Sequence, residues 1–317
     1  MFQVASRRAG TLTVYDLMGT AMSEISLDEP AFPGQRTVPE ILSHPRFPFA
    51  RAAMVEAMLA LYEHDPFLNR LLLEVGRNVV FVVIMCLDAG YDEADRATWP
   101  TLAAVTQAMA AFGIASPRRI ADLVARLIET GYIEQAAAAG DGRVRILRPT
   151  DKMIALDQDW LVAHYAPLQA LFPDPGYAPI MERDRDFQRR QRLAAVGQFP
   201  LAAKVMARNE TMMHFMSREA GIMVVIKLLH LAGPNGDTTR RIAYSDIGTR
   251  FGVSRTQVRK LLQEAEAKGL VRLERGRTLS AQPTPALLHH FDRLVADTMA
   301  AHDFTFKLAA DGAMQSG

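Results

Sequence analysis

A segment that occurs twice in this 317-residue chain limits the folds open to it. In each copy a Phe-Gly pair precedes a serine, and the serine lies fifteen positions before a glycine: Ser116 before Gly131, and Ser254 before Gly269. Apolar residues recur between serine and glycine at helical spacing, at Ile120, Leu123, Val124 and Leu127 in the first copy and at Val258, Leu261, Leu262 and Ala265 in the second. Serine is a preferred helix N-cap, and a short helix, a tight turn and a capped second helix make a helix-turn-helix. The duplication predicts two such motifs in one chain.

Matching segments on both sides extend the repeat. The paired segments, first copy before second, are apolar helices near 82–90 and 224–233, Phe-Pro pairs at 47–48 and 199–200, alternating β-hairpin patterns at 133–147 and 271–279, and closing helices at about 151–171 and 285–300. Alternation of apolar and polar residues around a glycine turn is typical of a hairpin. Each closing helix follows a Pro-Thr pair, Pro149-Thr150 or Pro283-Thr284. Each copy is therefore predicted to form a complete small unit.

A helix, a helix-turn-helix, a β-hairpin and a closing helix, in that order, resemble the winged helix. With extra helices on both sides, each unit is similar to the winged-helix regulators of the MarR type, the multiple-antibiotic-resistance regulators. The resemblance implies a mainly α fold with small β-hairpins (α+β) and two winged helix-turn-helix domains with flanking helices. MarR-like chains usually carry one unit and pair as homodimers, whereas this chain would form a pseudo-dimer alone, as a monomer or within a homodimer.

The repeat divides the chain into four predicted segments. These are an irregular N-terminal arm at 1–46, a first winged-helix domain at 47–172, a charged linker at 173–198 and a second winged-helix domain at 199–317. The mixed charges in the linker are typical of a solvated segment or an exposed helix. An alternative interpretation makes Arg189, Arg190 and Arg192 a basic strip that contacts phosphates.

The outward face of the second capped helix has the side chains that a DNA major groove requires. Arg and Lys donate to guanine, Gln can pair with adenine, and Thr can contact the thymine methyl group. The predicted DNA contacts of this copy are Arg255, Thr256, Arg259, Lys260 and Gln263 on the helix, with Arg275 and Arg277 at the hairpin tip. From 255 to 277 there are seven basic residues and three acidic ones.

The first copy presents a weaker face. Its outward positions include Asp122 and Glu129, and carboxylates are repelled by the phosphates that border a groove. Its predicted DNA contacts are Arg118, Arg119 and Arg126 on the helix, with Arg143 and Arg145 on the hairpin. We therefore expect the two copies to contribute unequally to DNA binding, with the second as the stronger base reader.

Net charge and the length of the apolar runs narrow the classes of protein to which the chain can belong. The net charge of +1 gives no general attraction to polyanions, so DNA binding has to come from local clusters. The longest apolar run, Val79 to Leu87, is far shorter than the roughly 20 residues that cross a bilayer. Without a signal peptide pattern at the N-terminus, the prediction is a cytoplasmic protein with no membrane partner.

Cys86, the single cysteine, lies in the apolar run from Val79 to Leu87 and is interpreted as a buried small hydrophobe, with a reactive thiol as the alternative.

Catalytic motifs are missing from the sequence. There is no Gly-rich phosphate loop, GxSxG, HExxH or CxxC, so the chain is predicted not to be an enzyme and to use no cofactor. The neighbouring His289 and His290 have no further ligands at metal spacing, so no metal is expected.

The leading functional hypothesis is sequence-specific binding of double-stranded DNA by a transcriptional regulator. Two alternatives stay open: a plasmid-type replication initiator, which also resembles tandem winged helices, and a winged-helix module for protein-protein interaction. A small-molecule effector is a further expected partner. It would occupy a pocket lined by Met, Phe and Leu between the flanking helices and the winged core.

Overall fold

The computed structural model describes residues 26–63, 65–233, 242–243, 251–274 and 280–314. Its helices are α1 (Val38–Ser43), α2 (Phe47–Tyr62), α3 (Pro66–Leu72), α4 (Val75–Ala89), α5 (Leu102–Met109), α6 (Pro117–Glu129), α7 (Asp151–Leu171), α8 (Ala178–Met181), α9 (Arg185–Val196), α10 (Phe199–Ala207), α11 (Glu210–Met216), α12 (Gly221–Ala232), α13 (Arg255–Ala267) and α14 (Pro285–Met314). Its strands are β1 (Ile133–Ala138), β2 (Asp141–Pro149), β3 (Ile242–Ala243), β4 (Val271–Glu274) and β5 (Ser280–Pro283). The predicted class, mainly helical with small antiparallel sheets, is confirmed. Within these ranges no helix has the length and apolar character needed to span a membrane.

The two capped helices form as the repeat predicts. The Ser116 hydroxyl accepts a hydrogen bond from the Arg119 amide at the start of α6, at 3.4 Å. The Ser254 hydroxyl accepts one from the Gln257 amide at the start of α13, at 3.1 Å, and the Gln257 side chain accepts one from the Ser254 amide. Both predicted apolar stripes are buried. The sequence therefore placed both helices and their buried faces correctly.

Each hairpin is joined to its closing helix in the same way. The Thr150 hydroxyl donates to the Gly131 carbonyl at 2.8 Å, and the Thr284 hydroxyl donates to the Gly269 carbonyl at 2.8 Å. Each hydroxyl also accepts a hydrogen bond from the first turn of α7 or α14. Strands β1 and β2 pair antiparallel, and so do β4 and β5, with β3 on the other side of β5. The Pro-Thr pairs are thus repeated structural joints.

The described part of the predicted irregular arm is ordered against the last helix. Residues 38–43 form α1, and the Thr37 side chain caps it. The Arg36 amide donates to Asp303 on α14 at 2.7 Å, and the Phe32 ring stacks on Phe304 with the centroids 5.3 Å apart. The prediction of an irregular segment is therefore wrong for residues 38–43, because a capped helix with buried Val38 and Ile41 packs there. Residues 1–25 of the predicted arm lie outside the described residues.

The predicted charged linker is part of the core. It contains α8 and α9, and α9 packs against both α4 and α14. Arg192 on α9 is 3% exposed, and its guanidinium holds the fully buried Asp157 through two bonds of 2.5 and 3.0 Å. The basic-strip interpretation is therefore wrong for Arg192, because its charge is neutralised inside the protein. Arg189 remains exposed and donates to the Ala89 carbonyl at 3.1 Å.

The two repeat units, 47–172 and 199–314, share one hydrophobic core. Helix α2 of the first unit packs against α12 of the second, and α14 packs against α7. The Lys227 ammonium donates to Glu63 at 2.8 Å, and Arg51 binds Asp292 with bonds of 2.8 and 2.9 Å. Helix α14 runs to residue 314, well beyond the predicted end near 300.

Candidate nucleic-acid interface

The outward face of α13 is solvent-exposed along its length. The predicted contacts Arg255, Thr256, Arg259, Lys260 and Gln263 are all exposed, opposite the buried stripe that fixes the rotation of the helix. Within the described part of the chain, no carboxylate lies at ion-pair distance from the three cations on this face. The face therefore presents three uncompensated positive charges.

The two acidic residues of α13 are held away from that face. Glu264 is 2.9 Å from the Arg218 guanidinium and 3.3 Å from the His214 ring. The Glu266 carboxylate accepts a hydrogen bond from the Leu273 amide of β4 at 3.0 Å. Both carboxylates are thus used to hold the helix in place, which leaves the outward face free of negative charge.

Arg272 is an exposed residue that the sequence prediction missed. It lies on β4 next to buried Val271, so the alternation of the strand turns it outward. That alternation was the available signal, but the prediction took only the cations at the tip of the hairpin. Arg275 and Arg277, the predicted tip contacts, lie outside the described residues.

The exposed cations of α6 are largely compensated. Arg118 lies 4.0 Å from Asp122 on the same helix, and both side chains are exposed. Arg119 lies 3.1 Å from Glu74, a nearly buried carboxylate that also caps the start of α4. Arg126 is exposed on the flank. The first unit therefore presents much less free positive charge than α13 does.

The first hairpin places its two predicted contacts on the outside. Arg143 and Arg145 are exposed on β2. A small apolar cluster of Trp99, Ala138 and Ile146 anchors the hairpin to the body of the protein. The cationic side chains of β2 are therefore presented from a fixed support.

Helices α6 and α13 both border the loop at 217–220. Glu219 in this loop is 3.7 Å from Arg77 at the start of α4. The same residue borders the cleft beside α6 and the cleft beside α13. Gly252, just before α13, has a φ of 69°, and a Cβ placed there would lie 3.0 Å from Pro66 on α3. The segment just before α13 therefore packs on the first unit.

The structure also describes the other residues that the sequence singled out, Cys86, His289 and His290. Cys86 is buried, and burial raises the pKa of its thiol to about 12, so the prediction of a small buried hydrophobe is confirmed. His289 is exposed beside His290. Across the described ranges, no group of three or more His, Cys, Asp or Glu side chains is arranged to hold a metal ion.

Together these elements offer an exposed cationic helix with hydrogen-bonding side chains, and beside it a less charged counterpart. Such a surface can form charge-assisted hydrogen bonds to phosphates and to base edges. Comparisons of the chain with protein family models, with curated proteins and with solved structures gave no match.

Proposed function

We propose that the chain is a transcriptional regulator that binds double-stranded DNA sequence-specifically. In this proposal two winged helix-turn-helix units of MarR-like type act as a pseudo-dimer within one chain, and α13 is the main base-reading helix. The observation that carries the proposal is the outward face of α13, where Arg255, Arg259 and Lys260 are exposed and uncompensated.

The composition of this face favours DNA over a general solvent-exposed role. Cations that already have carboxylate partners gain little from phosphate, because the new contact replaces an existing one. Among the described residues the cations of α13 have no such competitor, and each phosphate they neutralise releases condensed counterions. Thr256 and Gln263 lie among them as neutral groups able to contact base edges.

The first unit is proposed to position the complex rather than to read bases. The pairs Arg118–Asp122 and Arg119–Glu74 leave α6 with little free charge. The exposed Arg143 and Arg145 on β2 suit phosphate contacts, which fix register without carrying sequence information. The two units would therefore share the repeated segments but differ in role, since the second reads bases and the first positions the complex.

The test is fluorescence anisotropy with duplex DNA selected from a random pool by the wild-type protein. The triple variant Arg255→Ala, Arg259→Ala, Lys260→Ala should bind the selected DNA at least about tenfold more weakly. The slope of log K against log salt should also become shallower by up to about 2.7, at about 0.9 for each lost phosphate contact. The control, Arg46→Ala, Lys204→Ala, Arg185→Ala, removes three exposed cations outside α13, of which Arg185 is paired with Asp151 at 3.0 Å, and should change both quantities much less.

Two outcomes would contradict the proposal. Equal loss of affinity in both triple variants would mean that binding follows net charge and not the α13 face. Failure of the wild-type protein to enrich or bind any duplex at low salt would favour the protein-protein module, in which the exposed Asp122 and Glu129 of α6 would meet no phosphates.

A further inference from the structure

The cleft beside α6 has a volume of about 620 Å³ and lies between α3, the start of α4, α6 and the loop at 217–220. Four arginine side chains line it: Arg70 on α3, Arg77 on α4, and Arg119 and Arg126 on α6. Residues seven positions apart lie on the same side of a helix, two turns from each other. One side of α6 therefore forms a wall of the cleft, and α3 lies across from it.

Three carboxylates also border the cleft, and each of them faces an arginine. Glu74 lies 3.1 Å from Arg119, and Glu219 lies 3.7 Å from Arg77. Asp122 pairs along α6 with an arginine outside the cleft. These carboxylates therefore compensate Arg77 and Arg119 but not the other two arginines of the lining.

Arg70 and Arg126 are the uncompensated cations of the cleft. Both side chains are exposed, and in the described part of the chain no carboxylate lies at ion-pair distance from either. The Arg70 Nε atom donates to the Pro66 carbonyl at 3.2 Å, which holds the guanidinium in place. A guanidinium has five N–H donors, so four remain on Arg70 for a ligand. The cleft therefore offers two positive charges to an anion.

The position of the cleft favours the phosphates of a duplex over other anions. Guanidinium groups bind phosphate through paired hydrogen bonds. Pro66, which holds Arg70, contacts the segment before α13, since a Cβ on Gly252 would lie 3.0 Å from it. Glu219 borders both this cleft and the cleft beside α13, which exposed Lys260 also lines. Arg70 therefore lies between α6 and the start of α13.

We propose that the cleft beside α6 binds one backbone strand of the duplex that α13 reads, with Arg70 and Arg126 each bonded to a phosphate. The inference rests on the proposed function and extends the DNA contact to α3, which belongs to neither helix-turn-helix nor hairpin. Phosphate contacts fix register and carry no sequence information. The two arginines therefore set affinity and salt dependence but not base preference.

The first test is fluorescence anisotropy with the selected duplex and with a scrambled duplex of the same composition. The variant Arg70→Gln, Arg126→Gln should bind both duplexes about tenfold more weakly, and the slope of log K against log salt should become shallower by up to about 1.8. The ratio of the two affinities should stay as in wild type, whereas the α13 triple variant should reduce it.

The matched control is Arg46→Gln, Lys204→Gln. It also removes two exposed cations that have no carboxylate partner within the described ranges, but these lie at the start of α2 and on α10. Affinity and slope should change much less in this variant. Circular dichroism checks that each variant is folded.

The second test locates the strand by tethered cleavage. Cys86 is the single cysteine and is buried, so a cysteine introduced as Arg70→Cys can be labelled alone with iron-EDTA. In the complex with the selected duplex, this label should cleave the backbone at one short run of nucleotides. The same label on Arg46→Cys should not cleave, because α2 has 16 residues and separates position 46 from α3 by about 24 Å.

The outcomes separate this inference from the proposed function. Failure of the wild-type protein to bind any duplex would overturn both. Unchanged affinity of Arg70→Gln, Arg126→Gln beside the expected loss in the α13 triple variant, or no cleavage from position 70 in the complex, would overturn this inference alone. Saturable binding of ATP that the double variant abolishes, with duplex affinity unchanged, would instead assign the cleft to a free phosphorylated ligand.

Discussion

At the scale of single residues, the buried carboxylate of Asp157 between the two units is tightly paired. Asp157 and Arg192 form a fully buried pair with two hydrogen bonds, and Gln188 adds a third bond to Asp157 at 2.6 Å. Removing one member of a buried pair costs about 3 to 5 kcal/mol because the other charge loses its partner. His164 and His302, by contrast, are uncharged at pH 7, because burial lowers the pKa of both rings. The charge state of these two rings therefore links stability to pH.

Stability is predicted to fall as the pH falls from 7 to 5. The folded pKa values of His164 and His302, about 3 and about 4, lie below the unfolded value of 6.5. In this range the unfolded chain binds more protons, so the free energy of unfolding decreases with decreasing pH, by at most about 1.4 kcal/mol per pH unit for each histidine. Urea denaturation at pH 7 and pH 5 should show a drop that is smaller, by up to about 4 kcal/mol, in the double variant His164→Gln, His302→Gln. The exposed His289→Gln is the control, and a wild-type-like drop in the double variant would contradict the prediction.

At the scale of elements, features that depend on neighbouring residues were predicted better than features that depend on residues far apart in the sequence. The capped helices, their buried stripes and α7 at 151–171 follow from spacing, serine or threonine caps and glycine stops. The packing of α9 did not follow, because its charges are typical of a solvent-exposed segment and its partner Asp157 is 35 positions from Arg192. The extension of α14 beyond 300 was missed for the same reason. Asp303 interrupts the apolar pattern but is buried, with Tyr177, Lys307 and the Arg36 amide around it.

The serine caps are predicted to contribute measurably to stability. Ser116→Ala and Ser254→Ala each remove the acceptor for an amide at a helix start, which costs about 1 kcal/mol. We expect the larger loss for Ser254, because its replacement also removes the support for the reciprocal Gln257 bond. Chemical denaturation measures both, and Ser116→Asn and Ser254→Asn, which keep an acceptor, should stay within a few tenths of a kcal/mol of wild type. Equal stability of the alanine and asparagine variants would show that the caps are not used.

At the scale of the whole molecule, the duplicated frame does not behave as two separate bodies. Helix α9 lies between α4 and α14, and α2 packs against both α7 and α12. The N-terminal segment around Asp28 reaches the second unit, where it binds Arg208 at 3.1 Å and Arg293 at 2.9 Å. The contacts between the two units therefore bury faces of α2, α9 and α14, helices that each unit also needs for its own core. The relative placement of α6 and α13 is fixed by this shared core.

We therefore predict that the full chain unfolds in one cooperative transition. Urea unfolding followed by far-ultraviolet circular dichroism and by tryptophan fluorescence should give coincident curves, which is the test of two-state behaviour. Residues 26–172 and 173–317 expressed separately should lack a cooperative transition, because each would expose the faces of α2, α9 and α14 that are buried in the full chain. Mixing the two fragments should restore native circular dichroism, since the missing faces are then supplied. A cooperative transition of either fragment alone, at the midpoint of the full chain, would show instead that the units are independent domains joined by a linker.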